Sequence, residues 1–482
     1  MSEESVKLTK IQKQCVKFKP EGDLLIQGIP GSGKSTILLA RACFLSEKNG
    51  LDNILLLTFS KALTNYVTQL SMKTNGYPLQ AKTFHQWAHE LIKETDQPYT
   101  RLIFSKDKEK TVRFAKNIIN KNGSDVKFPN IKTEQNTDRA LIKFLCSEIE
   151  WIKGAGITSR EEYLGIKRLG RGTDIRVTQD NRQTIYDVLE KYNELLSNHR
   201  DHQGIDGDDL ARLLIEKADQ IPDNMKADHI LVDEAQDLHT MQLKAIRTIC
   251  KTSLTVGADK GQQIYRRNFA WRQSGIDIVG NRSRILKQTF RSTRQIIELA
   301  NDFQEKDELY VKDHDYHKAN VPEIEGLKPE LHFCQDSQAE EEMIMNHISK
   351  IRSSYPEDTI GIIATSHDRL DKIAENLEKK GIPIYKMKDD EADIVSPGVK
   401  LMTYQSSKGL EFDHVIVSDL TKGKLPYKAH NIGDDEEEFL SRERKKLYVA
   451  MTRAKKTLTL IAVEEYSPFI KDLNSRLYKV NE

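Results

Sequence analysis

No stretch of the 482 residues comes near the roughly eighteen consecutive apolar residues that a membrane-spanning helix needs. The opening residues, Met1 to Lys7, lack the apolar core of a secretory signal and carry no twin arginine. The expectation is a cytoplasmic protein with no membrane partner. Cysteine is scarce and scattered: Cys15, Cys43, Cys146, Cys250 and Cys334 form no Cys-x-x-Cys pair. That argues against a zinc site, a disulfide framework or a four-cysteine cluster, and leaves reduced core residues. A charge of one sign is missing too, with 74 Lys and Arg against 73 Asp and Glu. This balance neither requires nor excludes nucleic acid. Residues 101–200 are richer in basic side chains, among them Lys167, Arg168, Arg171 and Arg176, which read most simply as a solvated face. The length calls for about two to four domains.

What is present is more telling. Asp23 to Gln27 is a short apolar strand, and it runs into Gly28-Ile-Pro-Gly-Ser-Gly-Lys-Ser35 and then a helical pattern from Thr36. Strand, glycine loop and helix in that order are what a phosphate loop requires. Gly28, Gly31 and Gly33 let successive N–H groups, including that of Ser32, curl inward on phosphate oxygens. The helix N-terminus at Thr36 adds partial positive charge. Lys34 is the candidate for the β and γ phosphates of ATP, and Ser35 for Mg²⁺. About 200 residues later a second apolar strand, His229 to Val232, ends in Asp233 and Glu234. Asp233 is the candidate Mg²⁺ carboxylate, and Glu234 the candidate base that activates water.

With these two motifs in place, the chain resembles the superfamily 1 helicases of the UvrD/Rep/PcrA type from about residue 8 to about residue 462. The resemblance is carried by Leu8 to Gln12, Gly28 to Ser35, Leu57 to Leu63, Lys82 to His85, Asp233 to Asp237, Asp259 to Tyr265, Gln288 to Thr293, Thr403 to Glu411 and Leu447 to Ala454, in the family's order. It implies an α/β fold with two RecA-like parallel-sheet motor domains and ATP hydrolysis at the cleft between them. It further implies Gln12 as an adenine reader and Phe290 as an aromatic stacked on that base. Gln262 would sense the γ phosphate, Arg291 and Arg453 would act as arginine fingers, and Glu411 would contact the ribose. On the DNA side it implies Thr58, Thr83, Phe84, His85, Tyr265 and Thr403, with Trp271 as a further stacking candidate. Trp87 reads instead as core, because it lies on an apolar helical face.

Residues 1–95 and 205–284 alternate strand and helix as one interrupted sheet, the family's domain 1A. Residues 96–204 are helical in pattern and match the small insertion 1B. Residues 285–482 alternate again as domain 2A, with strand candidates at 359–364, 382–385, 399–403, 414–417 and 457–461 and a closing helix after them. The family's large domain 2B is absent here, because only thirteen residues separate Tyr385 from Val399. Few residues follow the last motif, so neither a duplex-splitting hairpin nor a fused nuclease is expected. Gln405 stands where the family usually has His, and Ala258 where it has Gly. Two functions fit: a helicase or translocase moving 3′ to 5′ on single-stranded DNA, or a DNA-stimulated ATPase that controls a nuclease or other effector in repair or anti-invader defence.

Overall fold

The computed structural model describes residues 8–49, 54–59, 61–75, 79–96, 101–103, 105–123, 125–131, 137–166, 175–197, 204–259, 274–276, 278, 280–311, 318–387, 393–427 and 436–481. The first half of the chain builds β1 (Leu24–Gly28), β2 (Ile54–Thr58), β3 (Ala81–Thr83), β4 (Arg101–Ile103), β5 (Gly204–Asp206), β6 (His229–Val232), β7 (Ser253–Ala258) and β8 (Ser283–Leu286). Six of these form a parallel sheet in the order β3-β2-β6-β7-β1-β8. Its central strands are rich in apolar residues and mostly buried, as strands covered by helices on both faces are. Leu24, Leu25 and Ile26 of β1 and every residue of β2 and β6 are buried.

The remaining pair, β4 and β5, is a small parallel ladder of its own. It closes the neck of a helical excursion formed by Ser105–Asn122, Thr137–Ala155, Arg160–Gly165 and Gln179–Ser197. Their apolar faces meet in a separate core around Leu145, Ile149, Tyr163, Ile185 and Tyr192. Beneath the neck, Lys153 bonds Asp206 and Asp209 at 3.1 and 2.8 Å.

The second half adds β9 (Glu330–Cys334), β10 (Thr359–Ala364), β11 (Ile384–Lys386), β12 (Gly398–Thr403), β13 (Phe412–Val417), β14 (Ala454–Val463) and β15 (Lys479–Asn481), parallel in the order β11-β12-β10-β13-β14-β9-β15. The α/β class and the two parallel sheets are therefore as the sequence implies. The closing helix is not. After β14 come a short 3-10 turn, Pro468–Asp472, and the strand β15, which pairs with β9. Pro468 is compatible with the first position of the turn, and the extended backbone of Leu473 at its cap ends it.

The two sheets share one core. Leu63, Tyr66 and Val67 from the first half pack with Met387, Ile394 and Leu410 from the second. At Gly409, φ is +77° and an added Cβ would fall 2.8 Å from Leu63, so only glycine lets the halves approach this closely.

The N-terminal helix Lys10–Val16 is tied down by one fully buried guanidinium. Arg41 donates to the carbonyls of Val16 and Phe18 at 3.1 and 2.8 Å and to Thr255 Oγ1 at 2.8 Å. Arg41→Met keeps the bulk but strands these acceptors, each at about 1–3 kcal/mol. A clear drop in the urea midpoint of the first unfolding transition is expected, and an unchanged midpoint would show that the helix is held by packing alone.

Candidate active site

Parallel strands bring their carboxyl ends to one edge, where α/β sheets bind ligands. The loop after β1 leaves that edge and feeds the helix Lys34–Asn49, while Asp233 and Glu234 follow β6 on the same edge. Gly31 and Gly33 have φ of +71° and +82°, the left-handed values a phosphate cradle needs. A Cβ at Gly31 would lie 2.5 Å from Thr289 Oγ1, so the loop's hollow admits no side chain there. Lys34 Nζ donates to the carbonyls of Gly28 and Ile29 at 2.8 and 3.1 Å and lies 3.4 Å from Asp259. Ser35 Oγ donates to Asp233 Oδ2 at 2.6 Å.

The two carboxylates are buried side by side, and their surroundings drive them apart. Burial first, then the Glu234 charge, pushes Asp233 up to about 6. Burial also acts against ionised Glu234, but Lys408, Lys34 and Arg453 outweigh it and hold that carboxyl below its ordinary value. Glu234 has φ 53° and ψ 39°, a left-handed backbone costing about 1–3 kcal/mol in a non-glycine residue. Its side chain accepts from Gln236 Nε2, which helps fix the strained turn.

The second half closes over this edge. The Phe290 N–H donates to Gly31 O at 2.9 Å. A cleft of about 380 Å³ results, lined by residues 31–36 with Tyr66, Glu234, Phe290, Arg291, Glu411 and Arg453. Phe290 is 43% exposed, a flat apolar face open to a ligand. Lys408 and Asp237 form a buried ion pair of 2.6 Å across the halves. Glu411 Oε2 pairs with Arg291 and Oε1 accepts from Tyr66 at 2.8 Å. Burial opposes the Glu411 charge, but Arg291 and Lys455 dominate and hold it at about 2. Arg453 is fully buried and donates to Val449 O and Leu410 O at 3.0 and 3.1 Å. Burial and neighbouring Arg291 lower it to about 10.

Other expected site residues have protein partners of their own. Gln12 is buried, accepts from Thr9 N at 2.9 Å and donates to Ser32 O at 3.1 Å, so its amide joins the helix cap to the phosphate loop. Both Glu411 oxygens have protein partners, Tyr66 and Arg291, so it restrains Arg291 in this structure. Phe84 is only 2% exposed and packs edge-on against Trp87, so it is core and offers no face to a base. The hydroxyls of Thr58, Thr83 and Thr403 are used locally, by Thr64, Gln86 and Ser406 at 2.6, 3.0 and 2.9 Å. Of the track candidates among the described residues, His85 alone keeps appreciable surface. Gln262, Tyr265 and Trp271 lie outside the described residues. Tyr66, Lys408 and Lys455 were not foreseen, although the last two stand inside or beside quoted motifs.

The residues present fit a nucleoside triphosphate with Mg²⁺. The cradle is backbone N–H and glycine, a hydroxyl and a carboxylate converge at Ser35 and Asp233, and Ser32 Oγ and Thr289 Oγ1 are buried with no partner among the described residues.

Profiles of known protein families match most of the chain. Residues 8–287 match the profile of the UvrD/REP helicase N-terminal domain. Residues 285–393 and 385–465 match that of the UvrD-like helicase C-terminal domain. The chain is similar to a probable DNA helicase II homolog of Mycoplasma capricolum, 25% identical over 381 residues, covering 73% of this chain and 48% of that protein. It is 24% identical over 402 residues to the ATP-dependent DNA helicase srs2 of Schizosaccharomyces pombe, covering 74% of this chain and 41% of that protein. With DNA helicase IV of Escherichia coli the identity is 25% over 524 residues, with coverage of 98% and 71%. The chain thus spans about half or less of the first two relatives.

Because Asp233 has a raised folded-state pKa, its ionisation opposes folding. The penalty is absent below the unfolded value near 4, grows as pH rises to about 6, and is constant above that. Asp233→Asn should therefore raise the Tm of the nucleotide-free, magnesium-free protein at pH 7.5, and the gain should vanish by about pH 4. A Tm difference independent of pH would refute the electrostatic origin.

Proposed function

Since the chain belongs to the UvrD-like helicase family, we propose that it is an ATP-hydrolysing motor that moves 3′ to 5′ on single-stranded DNA. What carries this is the shared cleft, in which one sheet supplies loop and carboxylates and the other supplies cations and an aromatic face. Lys34 would exchange its bonds to Gly28 and Ile29 for phosphate oxygens. Ser35 and Asp233 would hold Mg²⁺, whose charge neutralises the β and γ phosphates when bound. Glu234, kept ionised, would take a proton from the attacking water. Arg291 and Arg453, fixed cations from the second half, would stabilise charge on the transferring phosphoryl group. Phe290 would stack on the base. Because ATP would bridge the halves, its hydrolysis would loosen them, and the carboxyl edges bearing Thr58, Thr83, His85 and Thr403 would shift against each other along the strand.

A second reading rests on the short link between β11 and β12, which are adjacent, paired strands. With no large unit between them, the isolated chain has little surface with which to grip duplex DNA. In this reading it is an ATPase that senses DNA and controls a nuclease or other effector, in repair or defence.

The ATPase rate measured with single-stranded DNA, duplex DNA and RNA tests the first reading, which expects single-stranded DNA to stimulate most. Glu234→Gln should cut kcat by about 10²–10⁴-fold while ATP still binds. Arg291→Ala should lower kcat far more than ATP affinity, since its charge matters most in the transition state. Wild-type turnover by Glu234→Gln would remove it as the base. Strand displacement on a tailed duplex separates the readings: processive unwinding by the chain alone supports the helicase and contradicts the sensor.

A further inference from the structure

Outside the nucleotide cleft, near one edge of the second sheet, three potential metal ligands converge. Glu330 and His332 alternate along β9 and so project from the same face, while Leu331 between them enters the core on the other side. His347 comes from the helix Ser337–Ser354, whose Glu340, Ile344 and Ile348 mark the buried face. The Nε2 atoms of His332 and His347 are 3.0 Å apart, with Glu330 Oε2 at 3.3 Å from the first and 4.0 Å from the second. One point lies about 2.0 Å from all three atoms of such a triangle, the length of a zinc–nitrogen or zinc–carboxylate bond.

Without a cation the arrangement is poorly satisfied. His332 Nε2 faces two partners at once, an imidazole nitrogen and a carboxylate oxygen. A single ring proton cannot serve both well, whereas all three atoms can offer lone pairs to one metal. Both imidazoles are nearly closed off, and the half-exposed Glu330 leaves a way in from solvent.

We propose that Glu330, His332 and His347 form a site for a zinc-class divalent cation that pins the helix Ser337–Ser354 to β9. Two histidines and one carboxylate suit zinc or cobalt and not the hard Mg²⁺ of the nucleotide cleft. A fourth position stays open to water. The cysteine spacing that argued against zinc has no bearing on this set. Because β9 lies between β14 and β15, the cation would brace the end of the sheet that includes the strand after Arg453.

The full chain, stripped with a chelator and dialysed, would be titrated with zinc in excess Mg²⁺ and assayed for bound metal by mass spectrometry. The expected result is one more tightly held zinc in the wild type than in the H332Q/H347Q double variant. Cobalt should give the intense visible bands of a four-coordinate site in the wild type only. E330Q, on a partly exposed side chain, should raise the zinc Kd by at least tenfold, because losing even an outer partner of a metal ligand costs about 10–100-fold. Equal zinc in the wild type and a folded double variant would overturn the proposal. Should the double variant not fold, an unchanged Kd in E330Q would overturn it.

Discussion

Two carboxylates buried one residue apart cannot both stay charged without cations, and in this protein the cations come from both halves of the chain. Asp233 and Glu234 belong to the first sheet, as does Lys34, whereas Lys408 and Arg453 belong to the second. The electrostatic balance of the site therefore requires the second half to be docked. Glu234 is ionised because Lys408 and Arg453 lie near it, and Asp233 is left as the group still short of positive charge. A site short of positive charge beside a glycine loop that offers N–H groups to anions is suited to take both halves of a metal–phosphate pair.

The same logic governs the arginines. Arg291 is held by Glu411, which Tyr66 anchors from the opposite half, and Arg453 is held by backbone carbonyls. Arg453 lines the cleft with its hydrogen bonds committed to backbone carbonyls, and Arg291 with its ion pair to Glu411 made while its Nη1 has no partner among the described residues. A triphosphate would have to draw them away from these partners, so nucleotide and interface would compete for the same charges. In the proposed function that competition would be a physical route from hydrolysis to relative motion, because losing the γ phosphate would return the arginines to their own half. Gly409, which permits close approach to Leu63, keeps the interface tight enough for small shifts to be felt.

The sequence disclosed the site where chemistry depends on local pattern. A glycine loop between strand and helix, and acids at the end of an apolar strand, are readable because backbone and side-chain requirements coincide within a few residues. The parallel sheets were readable from alternating strands and helices, although β9 and β15 escaped notice: each is only five or three residues long and sits near the sheet's end. Tertiary partners were not readable. Nothing local says that both Glu411 oxygens are occupied by Tyr66 and Arg291, residues far away in the chain. Phe84 could have been placed correctly from pattern alone. It shares the helical face of Trp87, Ala88, Leu91 and Ile92, and the Thr83–Gln86 capping box fixes where that helix begins.

The central claim is that bound nucleotide is gripped by both halves together, with Arg453 as one of the grips. Pulsed electron resonance between spin labels introduced through unnatural residues at Glu47 and Glu375, both on exposed helix faces of opposite halves, reads this directly. A non-hydrolysable ATP analogue with Mg²⁺ should narrow and shift the distance distribution in the wild type and leave it unchanged in Arg453→Ala. An identical distribution with and without the analogue in the wild type, under saturating nucleotide, would contradict the account.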